Sequence, residues 1–262
     1  AMGRDEKSLE AMYGEEDLSQ HPMFQGGFIN FGYWKGLQKP WDGEKRARSS
    51  AQLYELAFGG LRLGSNDAVL EVGCGRGLGL KALRERFPEA NLVGVDGSPA
   101  QVDRCRASGI PADVLYARAE RLPFLNSSFD KIVSVEAVQH FVAPEEFLRE
   151  AARVLRPGGR VAIATFFLLG EAGRPELEKL IPTVRQKIDR VMPVEDFETA
   201  MEAAGFTMEQ RLAIGEEVWE PLDQWLEIAF PAEWGRNWVV AYREKLVDYF
   251  LLTARKETGA TS

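Results

Sequence analysis

The sequence predicts an α/β fold, a doubly wound and mostly parallel sheet of seven strands with helical lid elements, on three observations. Short apolar runs alternate with helix-period segments through the middle of the chain. One strand-like run passes straight into a turn with glycine at every second position, Gly73, Gly75 and Gly77. The next strand ends on a carboxylate, Asp96. At 262 residues, with 45% apolar and 27% charged positions, the chain has the length and composition of a globular protein of one large domain or two small ones.

Ala68–Val72 reads as a short buried strand, and the helical run from Leu78 to Arg86 stops before Pro88. Asn91–Val95 is the second strand, and Ser98-Pro99 opens a helix with a capping Ser and Pro at its first position. Val114–Tyr116 is the third strand and Lys131–Val135 the fourth. Pro144–Leu155 is a helix closed by Pro157-Gly158-Gly159, and Arg160–Phe166 a fifth strand. Right-handed crossovers between five parallel strands make an open sheet. Pro193–Ala204 then reads as a helix stopped by Gly205, and Thr207–Ile214 as a strand with Phe250–Ala254 beside it.

Residues 4–60 and a helical stretch at 216–246 stand outside this rhythm as candidate lids. The first is rich in aromatics (Phe24, Phe28, Phe31, Tyr33, Trp34, Trp41), as is the second (Trp219, Trp225, Phe230, Trp234, Trp238). Most of these are expected to pack helices onto the sheet. The domain division that follows is a helical lid segment over residues 1–60 and a ligand-binding domain over 61–262, with lid insertions at about 168–192 and 216–246.

Apolar runs such as Val161–Leu169 fall well short of the ~20 residues that cross a bilayer. Asp5, Glu6 and Glu10 stand where a secretory leader is basic and then apolar, so a cytoplasmic protein is expected, and Ala1-Met2-Gly3 reads as a cloning remnant. Two cysteines, Cys74 and Cys105, build no disulfide framework, and no His/Cys cluster has ligand spacing, so no metal is expected. A net charge of −8 disfavours a nucleic-acid partner. The short basic run Lys45-Arg46-Ala47-Arg48 reads as a solvated helix face. A small-molecule partner fits better.

The turn in Val69-Leu70-Glu71-Val72-Gly73-Cys74-Gly75-Arg76-Gly77 needs residues without Cβ, to reach positive φ and to let a ligand lie against the backbone. Glu71 can accept from an ammonium group or pin the loop's own amides. Asp96, ending Leu92-Val93-Gly94-Val95-Asp96, is placed to take both hydroxyls of a ribose. The pair points to a nucleotide-type ligand. A dinucleotide fingerprint starting at Gly73 wants Gly or Ala at position 78, where this chain has Leu78. Gly77-Leu78-Gly79-Leu80-Lys81-Ala82 matches G-x-G-x-x-A but lies inside the expected helix, which makes an NAD-dependent dehydrogenase the weaker reading.

Glu-x-Gly-x-Gly-x-Gly followed by Asp96 resembles the first two motifs of class I S-adenosylmethionine-dependent methyltransferases. Ala117-Arg118-Ala119-Glu120-Arg121-Leu122-Pro123-Phe124, then Ser128-Phe129-Asp130-Lys131-Ile132-Val133, is similar to the third and fourth motifs of their ubiquinone-, sterol- and tocopherol-type branch. The resemblance runs from Ala68 to Phe166 and more loosely beyond. It implies a Rossmann-like sheet, S-adenosyl-L-methionine as cofactor and S-adenosyl-L-homocysteine as product. The implied cofactor residues are Tyr33, Glu71, Gly73, Cys74, Gly75, Gly77, Asp96, Gly97, Ser98, Gln101, Ala119, Glu120 and Val135. Arg118 departs from the branch, which carries an Asp there on the adenine amine, and leaves Glu120 or the Ala119 backbone to take that contact. Gly97 stands where the branch often has an apolar residue.

A sulfonium is already a strong methyl donor, so orientation alone can supply ~7–11 kcal/mol, while a base adds a factor of about 10²–10⁴. Of the two histidines, His140 in Glu136-Ala137-Val138-Gln139-His140-Phe141 lies just beyond the strand that borders the methyl group, the place for a base; a packing role is the alternative. Full transfer from a phenol to a free imidazole is uphill by ~5 kcal/mol, which favours transfer concerted with attack. His21, beside Pro22, is expected at the surface. Gly26–Trp34 is similar to the cofactor cover of tocopherol-, sterol- and natural-product-type enzymes. There Tyr33 is expected to bond the cofactor carboxylate or to pair with His140, as a Tyr–His latch does in phosphoethanolamine methyltransferases.

The expected acceptor contacts are Phe28, Trp34, His140, Phe167 and Trp219. The implied reaction is O-methylation of an apolar, medium-sized small molecule in polyketide or peptide natural-product tailoring. C-methylation of a sterol, quinone or prenyl chain, with aromatics or Glu136 steadying a cation, and N-methylation are the alternatives. A methyltransferase-fold protein that binds without turnover is a further one. No nucleic-acid or membrane partner is expected, and a homodimer is open.

Overall fold

The computed structural model describes residues 10–15, 17–231 and 235–258; Asp5, Glu6 and Trp234 lie outside them. Seven strands form one sheet: β1 (Ala68–Val72), β2 (Asn91–Asp96), β3 (Asp113–Tyr116), β4 (Phe129–Val135), β5 (Leu155–Leu168), β6 (Phe206–Ala213) and β7 (Val247–Lys256). Their spatial order is β3-β2-β1-β4-β5-β7-β6. Neighbours from β3 to β5 run parallel, and β7 is antiparallel to both β5 and β6. The order reverses beside β1, where the chain leaves towards β2 on one side and β4 on the other. That reversal opens a crevice at the carboxyl ends of these strands.

Strand side chains alternate between faces, so each buried strand feeds two cores. One core holds Val133, Val135, Ala162, Ala164 and Phe166 under α1 (Gly43–Leu61), α2 (Leu78–Arg86) and α3 (Pro99–Ala107). The other holds Leu70, Ile132, Val161, Ile163 and Phe167 under α4 (Pro144–Val154) and, past α5 (Arg174–Leu180) and α6 (Pro182–Arg185), α7 (Val194–Ala203). The expected second lid region contributes α8 (Gly215–Ala229) and α9 (Arg236–Arg243), which join the first core through Trp219, Trp225 and Trp238. Trp219 and Trp238 stack at 5.7 Å between centroids.

Local chemistry explains the boundaries. Ser98 Oγ accepts from the Gln101 N–H and Pro99 follows it, so α3 starts where the cap allows. Asp42 caps α1 through the Lys45 N–H. β5 starts at Leu155, earlier than expected: Pro157-Gly158-Gly159 does not end the preceding helix in a loop but is absorbed as an irregularity within the strand. Pairing jumps from Phe129↔Leu155 to Lys131↔Arg160, and Gly158 takes φ +79.

Arg46 corrects the reading of residues 45–48 as a solvated face, because its side chain is wholly buried. Its guanidinium donates to the Met23 and Asn30 carbonyls and to Ser50 Oγ. Those bonds hold the segment ahead of α1 down against the sheet. Burial lowers the Arg46 pKa to about 10, with Glu136 opposing the shift. Among the described residues no helix is long and apolar enough to cross a membrane.

Candidate active site

A cavity of about 180 Å³ opens at the carboxyl ends of β1, β2 and β4, the crevice that the strand order creates. Its floor is the glycine turn. Gly73, Gly75 and Gly77 have φ of +78, +52 and +85, and the Gly73 and Cys74 N–H groups both donate to the Val95 carbonyl. A Cβ on Gly73 would sit 2.3 Å from the Ala137 Cβ, so glycine there lets β1 and the turn after β4 close together. Gly77 does not line the cavity; it starts α2, whose Gly79 is buried, so no dinucleotide-type loop forms from that stretch.

Asp96 is pinned at both oxygens, Oδ2 by the Gly75 N–H at 2.8 Å and Oδ1 by the Ser98 N–H at 2.9 Å. Each oxygen keeps one lone pair, the complement of a cis-diol. Burial raises the Asp96 carboxyl above its usual range, and the Ser98 and Gly75 amides offset part of that shift. Beside it, a Cβ built on Gly97 would meet no atom within 4 Å, so there is open space at this part of the cavity wall. The cavity continues past Ser98, Gln101 and Ala119 to a mouth at Tyr116 and Val142, 53% and 46% exposed. Glu120 lines it as well, but Oε1 already accepts from Val142 and Ala143 and Oε2 lies 3.5 Å from Arg118 Nε.

The other end of the cavity is bordered by Val135, Glu136, Ala137 and His140. His140 Nδ1 lies 3.0 Å from the Ile188 carbonyl, which can only accept, so Nδ1 carries the proton. Asp189 Oδ1 stands 3.4 Å from the same nitrogen, its carboxyl raised by burial and drawn down by His140. Nε2 is therefore the lone-pair nitrogen; it accepts from the Tyr13 hydroxyl at 2.9 Å, and the Gln139 side-chain amide lies 3.3 Å from it as a second, longer donor. Gln139 braces the turn by donating to the Glu136 carbonyl while accepting from Thr165.

Glu136 has φ +44, a strained backbone for a residue with a side chain, at the cavity wall. Its Oε1 accepts from the Phe31 N–H and the Tyr249 hydroxyl. Burial pushes its carboxyl up to about 8. Glu71 is wholly buried beneath the turn and does not line the cavity. Burial pushes it up to about 8 as well; the Tyr54 hydroxyl and Leu80 amide lie close but outside ordinary hydrogen-bond geometry and offset only part.

Of the residues expected to touch ligands, Gly73, Cys74, Gly75, Asp96, Gly97, Ser98, Gln101, Ala119, Glu120, Val135, His140 and Phe28 line the cavity. Four aromatic assignments do not. Tyr33 lies away from His140, its backbone bonded to Ser49 and Gln52 and its hydroxyl towards Lys35. Tyr13 occupies the position by His140 in its place. Trp34 is buried with Nε1 on the Phe31 carbonyl, and Trp219 is stacked in the aromatic core. Phe167 points to the opposite face of the sheet, against Phe197 and Phe250, because alternation along β5 turns Phe166 towards the site side instead.

Tyr13 and Asp189 were not anticipated from sequence. Neither sits in a motif, and each reaches His140 only through the fold. Asp189 belongs to the 168–192 insertion, which is tied to the turn after β4 by the Arg190 N–H on the Gln139 carbonyl. Among the described residues, none from 216–246 lines the cavity.

Comparison with known proteins agrees with this geometry. A family model described as a methyltransferase domain matches residues 70–163. The chain is 30% identical over 221 residues to erythromycin 3''-O-methyltransferase of Saccharopolyspora erythraea, spanning 77% of this chain and 69% of that protein. It is 32% identical over 181 residues to 27-O-demethylrifamycin SV methyltransferase of Amycolatopsis mediterranei, spanning 64% and 65%. Among solved structures, that of the [4+2]-cyclase SpnF superposes with a TM-score of 0.73 at 25% identity over 98% of both chains.

Proposed function

The chain belongs to the class I S-adenosylmethionine-dependent methyltransferases, and from that premise we propose that it methylates an oxygen of an apolar, medium-sized small molecule in natural-product tailoring. The observation that carries the choice of oxygen is His140 at the cavity wall, whose Nδ1–H is held by Ile188 and Asp189 so that Nε2 is the accepting nitrogen, bonded here by Tyr13, itself a cavity-lining residue. The names of the two relatives, an erythromycin O-methyltransferase and a rifamycin-type methyltransferase, support the same class of acceptor.

The residues present fit the cofactor. Asp96 would take the ribose diol with its two remaining lone pairs, Gly97 would leave open space for the adenine, and Gly73 and Gly75 would let the amino-acid end approach the backbone. When bound, S-adenosylmethionine supplies a methyl group already activated by its sulfonium. The chain's own task is then to hold the acceptor hydroxyl in line, exclude water and take the proton at His140 Nε2 as attack proceeds. Asp189 steadies the imidazolium, while the Ile188 carbonyl keeps the proton on Nδ1. Tyr13 must release Nε2 before an acceptor hydroxyl can bond to it. Residues 1–60 act as the cover in this reading, the 168–192 insertion supplies the partner of the base, and the enzyme works in the cytoplasm on a free small molecule, as a monomer or homodimer.

The SpnF likeness favours one second reading, a methyltransferase fold that performs a cyclisation. Incubation with methyl-labelled S-adenosylmethionine and a panel of hydroxylated macrolides separates the two. Methyl ether formation, lost by about 10²–10⁴ in His140→Ala with S-adenosylhomocysteine affinity intact, supports the proposal. Label on carbon, or a product with a new ring and no label, refutes it.

A further inference from the structure

The stretch of chain that carries Tyr13 is fastened to the glycine-turn side of the cavity through one carboxylate. Asp17 Oδ2 lies 3.5 Å from Arg76 Nη1 and 4.0 Å from Arg104 Nε, while Oδ1 accepts from the Ser19 hydroxyl at 2.5 Å. Arg76 stands between Gly75 and Gly77, lines the cavity, and also donates to Ser19 Oγ. Arg104 follows Gln101 on α3, and its Nη1 donates to the Tyr13 carbonyl at 2.7 Å. Burial opposes ionisation of Asp17, but the Ser19 hydroxyl and the two guanidiniums outweigh it and hold the carboxyl below its usual range. The glycine turn and α3 are thereby tied to the residues that place the Tyr13 hydroxyl on His140.

We propose that Asp17 is a positioning residue for cofactor exchange: clasped by Arg76 and Arg104, it holds Tyr13 at the cavity, and release of the clasp sets how fast S-adenosylhomocysteine leaves. The proposal rests on the cofactor reading of the cavity. Glu10 and Tyr13 line that cavity together with Gly75, Asp96 and His140, so the stretch before Asp17 forms part of the wall around any ligand held there. Tyr13 has to leave Nε2 before an acceptor hydroxyl can bond to it, so whatever fastens it has to open in each cycle.

Two fastenings hold the chain ahead of α1, and they differ in strength. The Met23 and Asn30 carbonyls are held by Arg46, which is wholly buried, and breaking those bonds would leave buried acceptors unpaired. At Asp17 the ion pairs are longer, and the side chains of Asp17, Arg76 and Arg104 are 25%, 29% and 24% exposed. Pairs of that exposure are weak and are screened by salt. The stretch is therefore fixed at its Met23–Asn30 end and releasable at Asp17. Because Arg76 belongs to the glycine turn, a ligand that orders the turn steadies the clasp, and by reciprocity the clasp retains the ligand.

Stopped-flow displacement of bound S-adenosylhomocysteine gives its dissociation rate from the unaltered chain, Asp17→Asn and Asp17→Glu. The rates are taken at about 0.01 M and about 1 M ionic strength, between which the screening length falls from ~30 to ~3 Å. Asparagine keeps an oxygen for Ser19 and removes the charge that the arginines hold. At low salt Asp17→Asn is expected to release the ligand about five-fold faster, and Asp17→Glu to stay within about two-fold of the unaltered chain. At high salt the unaltered chain should speed up to meet Asp17→Asn, a convergence that a merely structural aspartate would not produce. Equal rates at low salt, an excess in Asp17→Asn that survives high salt, or no rescue by Asp17→Glu overturns the proposal. An unaltered chain that does not bind S-adenosylhomocysteine refutes instead the cofactor reading beneath it.

Discussion

His140 is held on both ring nitrogens, and the two sides do different work. The Ile188 carbonyl alone would keep the proton on Nδ1, so Asp189 adds charge stabilisation more than tautomer control. Asp189→Asn should therefore lower kcat by only about ten-fold, against 10²–10⁴ for His140→Ala, with KM for S-adenosylmethionine unchanged. Equal losses would mean that the carboxylate sets the tautomer after all. On the other nitrogen the Tyr13 hydroxyl competes with the acceptor for one lone pair. Removing a bond worth about 1 kcal/mol, Tyr13→Phe should lower the acceptor KM about five-fold at constant kcat; a fall in kcat would instead make Tyr13 part of the proton path. The glycines and Asp96 were legible in sequence because their chemistry is set by neighbours on the same turn. Tyr13 was not: its partner is 127 positions away, and a tyrosine outside any motif carries no spacing signal.

At the scale of elements, the cover over the cavity is positioned by α1, and specifically by the buried Arg46 that gathers the Met23 and Asn30 carbonyls. Arg46→Met keeps much of the volume but leaves these acceptors unpaired, at a cost of ~3 kcal/mol. A matching loss in denaturant midpoint, with faster proteolysis between residues 10 and 42, is expected; an unchanged midpoint would show that water satisfies the carbonyls. The strands were read from apolar runs between turn residues with small errors at their ends. The larger miss at Leu155 arose because Pro157 and the glycines after it signal a loop, whereas pairing with β4 carries the chain through as a bulge. Phe167 was misassigned because the Phe166-Phe167-Leu168 end of β5 is an unbroken apolar run with no alternation in its sequence, so nothing there says which face each residue takes.

For the whole molecule, two buried carboxyls couple folding to pH. Glu71 and Glu136 are pushed up to about 8, above the ordinary glutamate range near 4.5. The folded chain then holds protons that the unfolded chain has already released. Stability is greatest below the unfolded value and is lost as pH rises towards 8, by about 1.4 kcal/mol per pH unit for each group. In Glu71→Gln, one group's share of that slope should vanish from melts recorded between pH 5 and pH 8, and an unaltered slope would contradict it. The doubly wound order was foreseeable from the strand–helix rhythm and puts the crevice where the glycine turn and Asp96 meet. The most direct test is calorimetric titration with S-adenosylhomocysteine, beside NAD and the Asp96→Ala variant. Stoichiometric binding weakened about 100-fold or more by loss of the two charge-assisted ribose bonds is expected, with no heat from NAD. Absence of binding, preference for NAD, or an Asp96→Ala protein that binds as well as the original would contradict the assignment of the site.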